Sequence, residues 1–311
     1  MRILIAGSTG VLGNRLVKSL STNGHEVLGL TRDKRGDNLV RRNGGTPVRT
    51  DLFSPDSITS HVESLDSIIH AATAIPKKQR PSSKDWEVND RIRVRGVESL
   101  VEVARRTGAQ HLIFQSIVWV ARPDDQSPFD EKDPVNPDDV TRSAADAERI
   151  AIDAGEEHRF TTTILRGGWF YGPDAWHTQS FGEALQRRML PVVGDGKAYW
   201  SIIHVDDAAA AFVAAIEHRP EGVFHIVDNQ PVQVGAFFHY FAGRLGARPP
   251  FRVPVWLARI AAGSYAAGFA TTSTIANADR FKRATGWEPQ YPDYQAGLDQ
   301  VVSTWESEKS G

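Results

Sequence analysis

Residues 1–13 read Met1-Arg2-Ile3-Leu4-Ile5-Ala6-Gly7-Ser8-Thr9-Gly10-Val11-Leu12-Gly13. Ile3 to Ala6 is a short, wholly apolar run, the pattern of a strand buried on both faces. Leu12, Leu16 and Leu20 then fall four apart and mark the buried face of a helix that ends near Asn23-Gly24. Three glycines separate the two elements. Gly7 permits a tight turn, Gly10 lets the backbone approach a pyrophosphate, and Gly13 allows close packing of helix on strand. The free N–H groups and the positive end of the helix dipole would hold the phosphates. The expected cradle is therefore Gly7, Ser8, Thr9, Gly10, Val11, Leu12 and Gly13.

Working outward, short apolar runs alternate with helical spacing. Glu26–Leu30, Thr46–Val48, Asp66–Ala71, His111–Phe114 and Thr161–Leu165 read as further strands. Val97, Leu100, Val101 and Ala104 share one face of a helix stopped near Gly108. This alternation predicts an α/β fold, a Rossmann-type doubly wound parallel sheet with a smaller C-terminal substrate-binding lobe. The dinucleotide-binding domain is expected over 1–165 and the lobe over 166–311, because Gly167, Gly168, Gly172 and Pro173 break the pattern. Segments near 200–230 return to the sheet, as a helix over Val205–Ile216 and a strand over Val223–Val227. Arg122–Val140, rich in Pro and Asp, reads as a surface loop. Phe238, Phe241, Ala242 and Leu245 mark a late amphipathic helix.

Composition excludes several classes. A net charge of −2 gives no excess of cations for a nucleic-acid backbone. With no cysteine there are no disulfides, thiolate nucleophiles or cysteine zinc sites, which fits the reducing cytoplasm expected here. No basic and apolar leader precedes the first strand, so no signal peptide is expected. The most apolar late stretch, Val253–Ala270, is interrupted by Arg259 and glycines and is not expected to span a bilayer. No histidine cluster has metal-ligand spacing, and His204, Asp206 and Asp207 read as a strand end and a helix N-cap.

The end of the second strand bears on the choice of cofactor. An NAD-selective site usually places an acid there for the ribose 2′-hydroxyl. Here the chain reads Leu30-Thr31-Arg32-Asp33-Lys34-Arg35. Arg32 can pair with a 2′-phosphate through its planar fork, with Lys34 or Arg35 assisting, so NADP(H) is favoured over NAD(H). Asp33 pulls the other way.

Along nearly its whole length the chain resembles the extended short-chain dehydrogenases/reductases, the NAD-dependent epimerase/dehydratase family. The matching segments are Gly7–Gly13, Asp51-Leu52, His70-Ala71-Ala72-Thr73 and Arg166 through Tyr171-Gly172-Pro173. Gly194-Asp195-Gly196, His204-Val205-Asp206-Asp207-Ala208-Ala209 and Thr285-Gly286-Trp287-Glu288-Pro289 match as well. The resemblance implies that Asp51 and Leu52 border the adenine and that Ala71, Ala72 and Thr73 run beside the ribose and nicotinamide, with Gln115 and Ser116 close by. It also implies a small-molecule substrate and is compatible with a homodimer.

The catalytic end departs from the family. Its tyrosine, four residues before a lysine, would fall at Val140 and Ala144 in the register set by Glu148. Ile117 stands at the usual serine or threonine position, with Ser116 one residue earlier. Valine and alanine can neither donate a proton nor tune a phenol. The Gln115-Ser116-Ile117-Val118-Trp119 and Arg166–Pro173 segments are similar to an atypical branch in which that pair is often absent. Candidate replacements are Ser116, Tyr171 and His177, each on a segment expected to face the nicotinamide. Trp119, Trp169, Phe170, Trp176 and Trp200 are expected to line the substrate pocket, which suits an apolar or aromatic substrate; packing of the lobe interface is the competing role. Gly168 and Trp200 stand near places where nucleotide-sugar binders resembling this chain carry asparagine and arginine, which argues against such a substrate.

Three functions remain open at this level. The first is an NADPH-dependent reductase or epimerase with a nonstandard proton donor. The second is a non-redox cyclase or isomerase on the same fold. The third is a non-catalytic dinucleotide sensor.

Overall fold

The computed structural model describes residues 1–78 and 80–310. The N-terminal half runs β1 (Arg2–Ala6), α1 (Val11–Thr22), β2 (Glu26–Thr31), α2 (Lys34–Arg42), β3 (Thr46–Arg49), α3 (Pro55–Thr59) and β4 (Ser67–His70). Then come α4 (Ser83–Thr107), β5 (His111–Ile117), α5 (Arg142–His158) and β6 (Thr161–Gly167). Apolar runs became strands because their neighbours cover both faces. Ile3 and Ile5 pack with Leu12 and Leu16 of α1, while Leu4 and Ala6 pack with Val97 and Leu100 of α4, as the period of two requires. Gly108, at φ +73°, ends α4 in the left-handed conformation that glycine adopts without strain.

After β6 the chain forms β7 (Trp169–Tyr171), α6 (Trp176–Gln186), β8 (Val192–Val193), β9 (Tyr199–Trp200), β10 (Ile202–His204), α7 (Val205–His218) and β11 (Gly222–Ile226). It ends with β12 (Val232–Gln233), α8 (Val234–Arg244), β13 (Arg252–Val253), α9 (Val255–Ala262), α10 (Ser264–Thr271), α11 (Asp279–Thr285) and α12 (Tyr294–Ser310). Seven strands form one parallel sheet in the order β11-β6-β5-β4-β1-β2-β3. The winding direction reverses between β1 and β4, so the crevice beyond their C-terminal ends is the place for a ligand.

Several strands run longer than the sequence pattern predicts. Gln115, Ser116 and Ile117 are still in β5, opposite Leu165, Arg166 and Gly167 of β6. Helix α7 returns to pack on α1, and β11 extends the sheet beside β6. Tyr171, Trp200, Phe237, Phe238, Phe241, Leu298 and Val301 form a separate core in the C-terminal lobe. The apolar stretch after Val253 folds as two eight-residue helices, α9 and α10, parted at Gly263. Among the described residues no helix is long and apolar enough to cross a membrane.

Candidate active site

The glycine turn has the geometry its spacing demands. Gly7 sits at φ +87°, and a Cβ there would lie 2.6 Å from the Ala71–Ala72 backbone. A Cβ at Gly13 would lie 2.0 Å from the Gly7 carbonyl oxygen. Gly10 differs: a Cβ there would meet nothing closer than the Gly7 oxygen at 3.4 Å, so its outer side is open. Gly10 is the N-cap of α1, with no side chain capping the helix and no acid in its first turn. The N–H groups from Val11 onward and the positive helix end therefore lack a built-in anion, which fits a pyrophosphate. The Ser8 hydroxyl is turned inward and donates to the Leu30 carbonyl at 2.7 Å, leaving only its backbone toward the crevice. Thr9 is exposed beside Gly36 at the start of α2.

At the end of β2 the carboxylate that clouds the cofactor choice has a local task. Asp33 is the N-cap of α2 and accepts the Gly36 N–H at 2.8 Å. Arg32, Lys34 and Arg35 are exposed, and none has an ion-pair partner among the described residues. Asp37, beneath them, is held by Thr31 and Arg49. Asp51 is exposed and closes its own turn by accepting the Phe53 N–H at 3.0 Å. Leu52 is half-buried against the α4 side of the sheet. The Ala71 N–H donates to the Ala6 carbonyl at 2.9 Å, Ala72 is half-buried and Thr73 is exposed. Fully buried Asn89 of α4 accepts the Ala74 N–H at 2.9 Å and fixes this loop.

The three candidate proton donors occupy unrelated surroundings. The Ser116 hydroxyl, 2% exposed, donates to Glu148. Glu148 in turn takes a two-pronged ion pair from Arg166, at 2.9 and 2.7 Å, with both side chains buried. Tyr171 is fully buried, edge-on to His204 and Phe237, and its hydroxyl has no partner. A Cβ on Gly297 of α12 would lie 1.9 Å from that hydroxyl, so the phenol points into the lobe core. Burial pushes the Tyr171 pKa well above the ordinary phenol value, with nearby Asp228 and Asp207 adding to it. His177 donates from Nε2 to the Phe170 carbonyl at 2.5 Å and lies tilted against Trp169, ring centroids 4.6 Å apart. Burial lowers its pKa, leaving a neutral ring. No bond joins these three residues to one another.

His204 caps α7, its Nδ1 accepting the Asp206 N–H at 3.2 Å, while Asp207 accepts the N–H groups of Gln290 and Tyr291. Asp206 and Asp174 both bind Arg15 of α1, tying the loop after β7 to the cradle helix. The aromatic residues divide. Trp200 is 2% exposed, and its indole N–H donates to the Phe269 carbonyl at 3.0 Å. Trp169 packs on Trp200 and Phe181. Trp119, Phe170 and Trp176 are half-buried; Trp119 meets Phe269 of α10, and Lys77 lies over Trp176. Gln115 is half-buried on β5 beside Ser116.

One charged residue at this end escaped the sequence reading. Arg93 of α4 is 6% exposed and donates to the Val140 carbonyl and the Ser143 hydroxyl, both at 3.1 Å. Its signal was position: 93, 97, 100 and 104 follow the buried helical stripe.

A parallel sheet with this order, carrying an uncapped glycine turn at its switch point, defines a dinucleotide-binding protein of the doubly wound class. The family model for the NAD dependent epimerase/dehydratase family matches residues 3–227, and the chain belongs to that family. The 3-diazoavenalumate denitrifying reductase of a Streptomyces species is 32% identical over 96% of this chain and 99% of its own. A human epimerase family protein solved with NADPH is 19% identical, with a TM-score of 0.79 over 97% of this chain and 99% of its own. The UDP-glucose 4-epimerase of Thermus thermophilus, solved with NAD, is 22% identical, with a TM-score of 0.79 over 98% and 99%. Family membership makes the chain an enzyme of the NAD(P)-dependent oxidoreductase and epimerase/dehydratase class, and the cradle fits its nicotinamide dinucleotide.

Proposed function

We propose that this protein is an NADPH-dependent reductase of a small apolar or aromatic carbonyl compound. The observation that carries the reading is the pairing of an open, uncapped α1 with a β2 end where Asp33 is engaged as a helix cap and Arg32, Lys34 and Arg35 stand free. A capped carboxylate is a poor acceptor for a ribose 2′-hydroxyl, whereas free guanidinium groups suit a 2′-phosphate. The N–H groups at the start of α1 would hold the pyrophosphate, and Asp51, Leu52 and Ala71–Thr73 would flank the rest of the cofactor. When bound, the dinucleotide supplies hydride. Trp119, Phe170 and Trp176 would shield the reacting carbonyl from water. The Streptomyces relative is a reductase by name, and no observation favours the cyclase or sensor alternatives. The absence of cysteine supports a cytoplasmic location, and the family resemblance supports a homodimer.

Calorimetric titration with NADPH and then NADH, followed by a panel of aromatic aldehydes, ketones and enones, tests the reading. The expected result is tighter NADPH binding and substrate-dependent NADPH oxidation. Equal affinity for both dinucleotides would remove the NADP preference, and silence across the whole panel would remove the reductase.

A further inference from the structure

Hydride transfer to a carbonyl leaves charge on oxygen, and Val140 and Ala144 can supply neither its proton nor a cation. Ala144 is fully buried among Val118, Val120 and Ala121, so the lysine position has become core. The cation returns from another helix. Arg93 bonds the carbonyl of Val140 and the hydroxyl of Ser143, and Ser143 donates to Asp90 at 2.6 Å. Arg93 is 6% exposed, and both of its hydrogen bonds among the described residues come from Nη1.

A tyrosine comes with it. Tyr171 is sealed in the lobe, the Tyr199 hydroxyl accepts from Gln233, and Tyr240 donates to Asp299. Tyr291 and Tyr294 pack against His204 and Tyr240. Tyr265, at the start of α10, remains. It is 44% exposed and lies edge-on to Trp86 of α4 at 5.7 Å. Trp86 and Arg93 are two helical turns apart and share one face of α4, so Tyr265 stands over the face that carries the guanidinium. Its charged neighbours are Arg93, Arg122 and Asp138, the last two paired at 3.8 Å. Helices α9 and α10 are each anchored to neighbouring elements. Arg80 donates to the Ala261 carbonyl at the end of α9, and Phe269 packs on Trp119 and Trp200.

We propose that Tyr265, brought by α10 from the C-terminal lobe, is the proton donor of this enzyme, and that Arg93 is the positioning residue that takes over the lysine's electrostatic part. The inference rests on the reductase reading. When bound, the dinucleotide would supply two electrons as hydride to the carbonyl carbon of the substrate. The carbonyl oxygen takes the phenolic proton of Tyr265, leaving an alcohol, an oxidised dinucleotide and a phenolate beside Arg93 and Arg122. Tyr265 is 44% exposed, so solvent returns the proton to its phenolate oxygen. Burial raises the Tyr265 pKa and Asp138 adds to the rise, while Arg93 and Arg122 oppose it, so the phenol holds its proton at neutral pH, as a donor must.

Tyr265→Phe keeps the ring and removes the proton. NADPH affinity by calorimetry should stay unchanged, while turnover of the best panel substrate falls about 10²- to 10³-fold. In protein labelled with ¹³C at tyrosine Cζ, the resonance missing from Tyr265→Phe identifies Tyr265. Arg93→Met should move its titration midpoint upward by about one unit, and Arg93→Lys should restore most of that shift. Turnover within about threefold of wild type in Tyr265→Phe would overturn the donor and leave the reductase standing. A Tyr265 midpoint indifferent to Arg93→Met would overturn the pairing. Wild-type protein that binds NADPH and reduces nothing would overturn the reductase and the donor together.

Discussion

The cofactor cradle and the catalytic end lie on the same sheet edge but are built from different materials. The cradle is backbone: a glycine at φ +87°, a second that admits the Gly7 carbonyl, and a helix N-terminus left without a cap. The candidate catalytic end is made of contacts between separate elements, Glu148 with Ser116 and Arg166, and Arg93 with the Val140 carbonyl. A backbone site accepts almost any change around it that spares its glycines. A side-chain site depends on how whole elements pack.

Four substitutions sharpen that contrast. The largest expected effect is at the catalytic end. Glu148→Gln leaves the Arg166 charge buried without its counter-ion, and urea unfolding should show a loss of about 3–5 kcal/mol. A loss below about 1 kcal/mol would mean that water reaches the pair. Next comes the cradle. Gly13→Val forces a side chain into the Gly7 carbonyl, so thermal unfolding should show a loss of about 3 kcal/mol, with dinucleotide binding abolished. Retained binding would mean that α1 can slide away from β1.

Arg32→Ala should leave the fold intact and weaken NADPH binding by about 10- to 100-fold, the weight of a charge-assisted contact, with NADH affinity unchanged. An equal fall for both cofactors would place Arg32 outside any contact with the 2′-phosphate. The smallest effect is expected at Tyr171. Its hydroxyl is buried without a partner, so Tyr171→Phe should change stability by less than about 1 kcal/mol and leave turnover as it was. A collapse of turnover would show that Tyr171 reaches the substrate after all.

Much of the architecture was legible from spacing. Ile3–Ala6 with Leu12, Leu16 and Leu20 specified a strand and the helix packed on it, because side-chain period follows directly from backbone geometry. The return of α7 and β11 to the sheet was readable for the same reason. Strand ends were less so: β5 continues through Ser116 to Ile117 because β6 pairs with it, and a pairing partner is not a local property. Likewise, Asp33 reads in sequence as a rival to Arg32, and only the fold of α2 shows it bound to Gly36.

By itself, then, the sequence determined the doubly wound sheet and the glycine cradle. Each of these depends on residue type within a few positions. Only the tertiary structure decided that Tyr171 is core, that Ser116 serves Glu148, that Arg93 of α4 bonds the Val140 carbonyl, and that Trp86 of the same helix meets Tyr265 of α10. Those meetings join residues 32 to about 180 positions apart. No pattern along the chain encodes them, because the packing of whole elements determines which side chains share a site.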